Sequence, residues 1–311
     1  MRTLAIVNPS SGGGRTAREW SRIAEKLDAV FPGFDAQLTT RRGEATDIAA
    51  RALRGGVEQI VAVGGDGTIG EAANGFFMPD GPIAPGAIFA FVTSGTGGDF
   101  RKSFGIAAGA DAAIARLAEG NIRKIDVGRV SFIDHAGKPA VRHFINIASF
   151  GLSGAVVDAV NGAAISKLFG GRFAFQFNSI KAMLTYKNRT VRLARDGMSG
   201  EDIAISTVAI ANGQYFGGGM RVAPGAVVDD GQFDVIVMGA APKGETIKGL
   251  DAIYKGEHLR NPNVRAFNAR RIVASPAAGE SRPVLIETDG EGPGRLPATF
   301  EILPRALNLR C

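Results

Sequence analysis

The chain has 311 residues, 45% hydrophobic and 21% charged, which is enough apolar material for large cores and, at roughly 150 residues per domain, for about two domains. Its 43 glycines and 14 prolines are scattered along the chain, which excludes a low-complexity or collagen-like polymer. The 36 basic and 30 acidic residues leave +6, a mild surplus that suits anionic ligands or an anionic membrane surface but lacks the dense basic runs of a nucleic-acid binder.

Residues 3–7 read as a buried strand, and 17–30 place Trp20, Ile23, Ala24 and Leu27 on one helical face. The alternation continues with a strand at 35–39, a helix at 44–53, a strand at 59–63, a helix at 69–77, a strand at 87–92 and a helix at 110–118. Strands separated by helices imply a parallel sheet whose ligands sit beyond the carboxyl ends of the strands. After Ile125 come β-rich runs at 126–133, 141–147, 191–193, 203–210, 233–238, 264–273 and 284–287, punctuated by Gly, Pro, Asn and Asp. Helical patterns at 153–168, 172–186 and 243–254 interrupt them, and no fixed-period repeat occurs.

The single cysteine, Cys311, excludes a disulfide framework within one chain and fits a reducing cytosol. The opening apolar run is too short for a signal peptide, no window approaches ~18 uninterrupted apolar residues, and Cys311 does not stand where a prenylation box needs it. His135, His143 and His258 lack zinc-site spacing, and neither a P-loop nor a Gly-x-Ser-x-Gly elbow is present.

Three strand ends carry the chemistry. Asn8-Pro9-Ser10-Ser11-Gly12-Gly13-Gly14 precedes a helix, so its backbone N–H groups and the helix N-terminus can cradle phosphate oxygens. The third strand ends in Gly64-Gly65-Asp66-Gly67-Thr68, where the glycines admit a polyphosphate and Asp66 is placed to hold Mg²⁺ or its waters. The fourth runs into Ser94-Gly95-Thr96-Gly97-Gly98-Asp99, a third wall for the same crevice. From 159 to 195 there is no acidic residue, while Lys and Arg interleave with Phe and Leu, a composition suited either to anionic lipid headgroups or to a packed helix pair with a solvated basic face.

At these loops the chain resembles the diacylglycerol kinase catalytic-domain family, bacterial soluble lipid kinases related to sphingosine and ceramide kinases. The resemblance extends through Lys124-Ile125-Asp126-Val127-Gly128, Asn146 to Gly151, Asn212 to Met220, Ala223 to Ala226, Asp229-Asp230-Gly231 and Asp289-Gly290-Glu291. One departure is Gly98, where the family usually carries Asn.

The resemblance implies an N-terminal doubly wound parallel α/β nucleotide-binding domain over 1–125, to which a tail from about 304 to 311 is a candidate to return. A mostly antiparallel β-sandwich lipid-substrate domain with inserted helices follows over 126–303. It implies ATP contacts from Asn8, Ser10, Ser11, Gly12, Gly13, Gly14, Thr40, Gly64, Gly65, Asp66, Gly67, Thr68, Glu71, Ser94, Gly95 and Thr96. Asp66, Asp99 and Asp126 would organise catalytic Mg²⁺, and Asp230 with the carbonyls of Val227 and Gln232 would hold a structural Mg²⁺. Asp289 or Glu291 would be the general base, with Asp66 alongside them in the catalytic set.

The implied reaction moves the γ-phosphate of ATP to a lipid hydroxyl, with diacylglycerol giving phosphatidic acid as the default and a ceramide or sphingoid base as the alternative. A soluble kinase like those acting on NAD, or a non-catalytic lipid- or nucleotide-binding protein, are the readings from other classes. The implied setting is cytoplasmic and peripheral to the membrane, with anionic lipid docking through 159–195, no nucleic-acid partner and the oligomeric state open.

Overall fold

The computed structural model describes residues 1–94, 98–162, 185–242, 244 and 249–311. The first half follows a strand–helix alternation: β1 (Thr3–Val7), α1 (Ser11–Val30), β2 (Asp35–Leu38), α2 (Glu44–Arg54), β3 (Gln59–Gly64) and α3 (Asp66–Asn74). A short hairpin of β4 (Phe77–Met78) and β5 (Gly81–Pro82) leads to β6 (Ile88–Thr93), α4 (Asp99–Lys102) and α5 (Ala110–Ala118). All five positions of β1 and all six of β3 are buried, as expected of central parallel strands covered on both faces. In α2 the buried Ala45, Ile48, Ala49 and Leu53 form one stripe, while Glu44 and Asp47 lie in the first turn and Arg51 and Arg54 in the last, each complementing the helix dipole.

The parallel order is β2-β1-β3-β6. β1 pairs with β2 on one side and β3 on the other, so the connections leave in opposite directions and a crevice opens beyond their carboxyl ends.

The second half comprises β7 (Ile122–Asp134), β8 (Pro139–Phe144), β9 (Ile147–Gly151), α6 (Leu152–Gly162), β10 (Arg189–Arg195), β11 (Glu201–Ala211) and β12 (Phe233–Gly239). It ends with α7 (Leu250–Lys255), β13 (Val264–Ala269), β14 (Arg271–Pro276), β15 (Leu285–Thr288) and β16 (Glu291–Arg310). Two antiparallel layers share long strands. β11 pairs with β10 through its first half and with β9 through its second, and β16 pairs in turn with β15, β14 and β7. Between the layers Phe144 stacks on Phe233 at 5.7 Å and Phe150 on Phe300 at 5.9 Å. The fold is therefore a parallel α/β unit joined to an antiparallel sandwich.

Several elements differ from expectation, among them the run at 141–147, which splits into β8 and β9. The helix predicted from Ile69 begins at Asp66, so the Gly-Gly-Asp-Gly run is itself the helix start. The single strand predicted at 264–273 breaks at Arg270, because the Asp196 carboxylate takes the N–H groups of Arg270 and Arg271 at 2.9 Å each. No strand was expected across 291–310, whose prolines mask the pattern. In β16 the register shifts between Arg295 and Thr299 and between Leu303 and Leu307, so Pro297 and Pro304 fall where the ladder is already interrupted. Of the inserted helices, α6 and α7 are described, while 163–184, 243 and 245–248 lie outside the described residues. Among those described, no helix is long and apolar enough to cross a membrane.

Gly128 faces the ring of Phe144, and a Cβ there would lie 2.1 Å from Cζ. Gly128→Ala is expected to cost about 1–3 kcal/mol through overpacking, read as a lower midpoint in urea unfolding; an unchanged midpoint would refute this contact.

Candidate active site

A cleft of about 420 Å³ opens beyond β1, β2 and β3. Its floor is the loop after β1, where Gly12, Gly13 and Gly14 take φ of +60°, +67° and +80°, a left-handed run that side chains other than glycine resist. Nothing lies within 4 Å of where a Cβ would stand on Gly13 or Gly65, so these glycines leave open space at the crevice. Asn8 braces the floor: its Nδ2 donates to Thr68 Oγ1 at 2.9 Å and its Oδ1 accepts the Ser10 N–H at 3.0 Å. Gly64 is glycine because Thr68 packs on it, a Cβ there falling 2.7 Å from Thr68 Oγ1. Ser94 lies behind the floor, taking a 2.7 Å hydrogen bond from Thr16, and Gly95 and Thr96 lie outside the described residues.

The opposite wall is formed by Thr39, Thr40, Arg41, Arg42, Glu71 and Glu291. Thr40 donates both its N–H and its hydroxyl to Glu44, at 2.5 and 2.8 Å, and these bonds hold the Glu44 carboxyl below its usual range. Glu71 accepts the Gly43 N–H at 2.9 Å and so ties α3 to the start of α2. Arg42 Nε lies 3.2 Å from Glu291 Oε1.

The predicted acids divide into separate groups. Asp66 caps α4: it accepts the N–H groups of Gly98, Asp99 and Phe100 at 2.7, 3.0 and 3.3 Å. Burial raises its pKa and the neighbouring Asp99 adds to that, while the amide donors oppose. Asp99 binds Lys102 Nζ at 2.8 Å and the Gly218 N–H at 2.7 Å, joining α4 to the sandwich. Gly98 has φ of +87°, a left-handed conformation that glycine and asparagine accept most readily, so the departure from the family residue preserves the backbone.

Asp126 is not gathered with Asp66 and Asp99, contrary to the sequence expectation. Its oxygens accept the N–H groups of Gly231 and Arg305, each at 2.7 Å, because β7 runs between the 227–232 loop and the bend of β16. Among the described residues no three acidic, histidine or cysteine side chains are gathered to hold a metal ion. In the 227–232 loop Val227 is exposed, Asp230 Oδ1 accepts the Gln232 N–H at 3.0 Å, and Asp229 pairs with Arg123. Asp230 borders a second cavity whose lining shares no residue with the glycine-rich cleft.

Asp289 and Gly290 form the turn between β15 and β16, with φ of +48° and +86°, the left-handed pair that a two-residue hairpin requires. The Asp289 carboxylate is turned onto backbone amides. It accepts the N–H groups of Ile145, Asn146 and Ile147 at 2.9, 3.1 and 3.1 Å. Burial pushes it up to about 6 against these donors. Glu291, 15% exposed, is the hairpin acid that lines the cleft. Burial raises its pKa while Arg42 and Arg142 lower it. Glu287 is enclosed, accepting the Gly290 N–H at 2.6 Å and the Ser149 hydroxyl at 2.5 Å, and burial pushes it up to about 7.

Sequence reasoning missed Arg41, Arg42 and Glu287. Two adjacent arginines just past a parallel strand, and acids at 287, 289 and 291, were the available signals.

Hydroxyls, guanidinium groups and glycine-rich backbone around one cleft fit the phosphates of a nucleotide. Asp66 and Asp99 do not fit Mg²⁺ as they stand: neither lines the cleft, and their oxygens are taken by the N–H groups of Gly98, Asp99, Phe100 and Gly218 and by the Lys102 ammonium.

The pattern describing the diacylglycerol kinase catalytic domain matches residues 2–130, and that of the YegS C-terminal NAD kinase beta sandwich-like domain matches 146–311. The diacylglycerol kinase of Staphylococcus carnosus is 28% identical over 302 residues, covering 96% of this chain and 91% of that protein. The diacylglycerol kinase of Staphylococcus aureus strain Newman is 28% identical over 312 residues, covering 99% and 91%. Among solved structures, a diacylglycerol kinase from Bacillus anthracis superposes with a TM-score of 0.70 at 21% identity, covering 99% of this chain and 96% of that one. An NAD kinase from Archaeoglobus fulgidus in complex with ATP gives a TM-score of 0.50 at 15% identity, with 99% and 93% covered.

Because the folded-state pKa of Glu287 lies above its ordinary 4.5, folding takes up a proton there, and stability is lost as pH rises from 4.5 through about 7. Glu287→Gln removes that titration. Its stability relative to wild type is therefore expected to rise between pH 5 and pH 8 in urea unfolding, and a constant difference would refute the buried titration.

Proposed function

The chain belongs to the diacylglycerol kinase catalytic-domain family and is a lipid kinase, and from that premise we propose that it transfers the γ-phosphate of ATP to a hydroxyl of diacylglycerol, with Glu291 as general base. The observation that carries this reading is that Glu291 is the one carboxylate of the β15–β16 hairpin on the wall of the glycine-lined cleft. The substrate follows that of the staphylococcal relatives, which are diacylglycerol kinases, and ATP follows the cleft's phosphate-binding chemistry.

The Gly12–Gly14 loop, Thr40 and Thr68 bind and orient the phosphates, and Arg41 and Arg42 offset their charge. Glu291 takes the proton of the acceptor hydroxyl as that oxygen bonds to the γ-phosphorus and the bond to the ADP oxygen breaks. Its raised pKa improves it as a base, while the Arg42 pair keeps it deprotonated. Asp289, with both oxygens on backbone amides, anchors the hairpin to the loop between β8 and β9. We also propose that Asp230 with the carbonyls of Val227 and Gln232 holds a structural Mg²⁺. In the same spirit, the basic segment 159–195 docks on anionic lipid, though 163–184 lie outside the described residues.

Radiolabelled ATP offered with diacylglycerol, ceramide, a sphingoid base and NAD tests the substrate. Labelled phosphatidic acid is expected, and label in NAD or in no acceptor would overturn the reading. Glu291→Gln should lower kcat by about 10²–10⁴-fold with nucleotide affinity retained, and wild-type turnover would remove Glu291 from the role. Sedimentation with anionic vesicles should exceed that with neutral ones, and equal partitioning would reject electrostatic docking.

A further inference from the structure

Glu287 is 3% exposed, outside the cleft, and absent from the chemistry so far described. Burying an acid is costly, and an apolar residue would ordinarily fill a strand position of this kind. Both carboxyl oxygens are nevertheless engaged. Oε1 accepts the Gly290 N–H at 2.6 Å, and Oε2 accepts the hydroxyl of Ser149, which is fully buried and directly opposite in the β9–β15 ladder.

The ladder alone leaves the hairpin tip underdetermined. Its register shifts between Ile286 and Thr288, where the extra residue falls on the β16 side next to Glu291. Fastening comes instead from side chains that converge on β9: Ile147 donates its N–H to Asp289, and Ser149 donates its hydroxyl to Glu287. Asp289 thus holds the turn from its outer side and Glu287 from within, on adjacent residues, with Glu291 immediately following.

We propose that Glu287 is a positioning residue for phosphoryl transfer: held by Ser149, it fixes the Gly290 amide and thereby sets where Glu291 presents its carboxylate in the cleft. This inference rests on Glu291 being the base.

The test uses full-length Glu287→Leu, Glu287→Gln, Ser149→Ala and Glu291→Gln, measuring kcat, KM for ATP, thermal unfolding and hydrogen exchange of the 289–291 turn. Glu287→Leu should lower kcat by about 10²-fold, the scale of a misplaced catalytic group, with KM for ATP unchanged and faster exchange at the turn. Glu287→Gln keeps an acceptor for Gly290 and should recover most of the lost turnover. Ser149→Ala should lower kcat in the same sense by a smaller factor, and it decides the matter if Glu287→Leu does not fold. Wild-type kcat in Ser149→Ala or in folded Glu287→Leu, or a loss confined to KM, overturns the proposal. Wild-type turnover in Glu291→Gln instead overturns the base assignment, whatever Glu287 does.

Discussion

Strand β16 is the constraint on which the molecule depends. It begins at Glu291 on the cleft wall, runs twenty residues through the sandwich, and ends with Asn308, Leu309 and Arg310 paired in parallel with β6 of the α/β sheet. Along the way it bonds to β15, β14 and β7. The base of the proposed reaction and the edge of the nucleotide sheet are therefore parts of one hydrogen-bonded ribbon. Extended backbone of this kind transmits position well, because each ladder bond restrains its neighbours.

The acids show a division between scaffold and chemistry. Asp66 caps α4, Asp99 joins α4 to the 218 loop, Asp126 bridges Gly231 to Arg305, and Asp289 holds three amides. Each is partly desolvated, and each is compensated by backbone donors, which keeps burial tolerable. Glu291 is different: it pairs with the exposed Arg42 on the cleft rim, a contact compatible with proton transfer. The arrangement keeps geometric rigidity in the turn and chemical freedom in the side chain.

Much of this was legible in the sequence where the information is local. The strand–loop–helix pattern located the cleft because glycine runs at strand ends signal themselves within a few residues. The Asp-Gly turn before Glu291 was readable for the same reason. What escaped depends on distant partners. Asp126 looked like a third metal ligand until β7 and β16 set its side chain toward Arg305, and Glu287 looked like an ordinary strand residue until β9 brought Ser149 across from it. The prolines of β16 concealed a strand because the bulges that accommodate them are products of pairing with β7, not of local preference.

The parallel contact between β6 and Asn308–Arg310 joins residues far apart in the chain. During synthesis, β6 leaves the ribosome well before its outer neighbour exists, so the nascent sheet carries an open backbone edge until Asn308–Arg310 pair with it. Unpaired edges of that sort invite intermolecular pairing. The Ile88–Thr93 edge is thus closed only once a segment made more than two hundred residues later has docked beside it, which ties completion of the α/β sheet to formation of the sandwich.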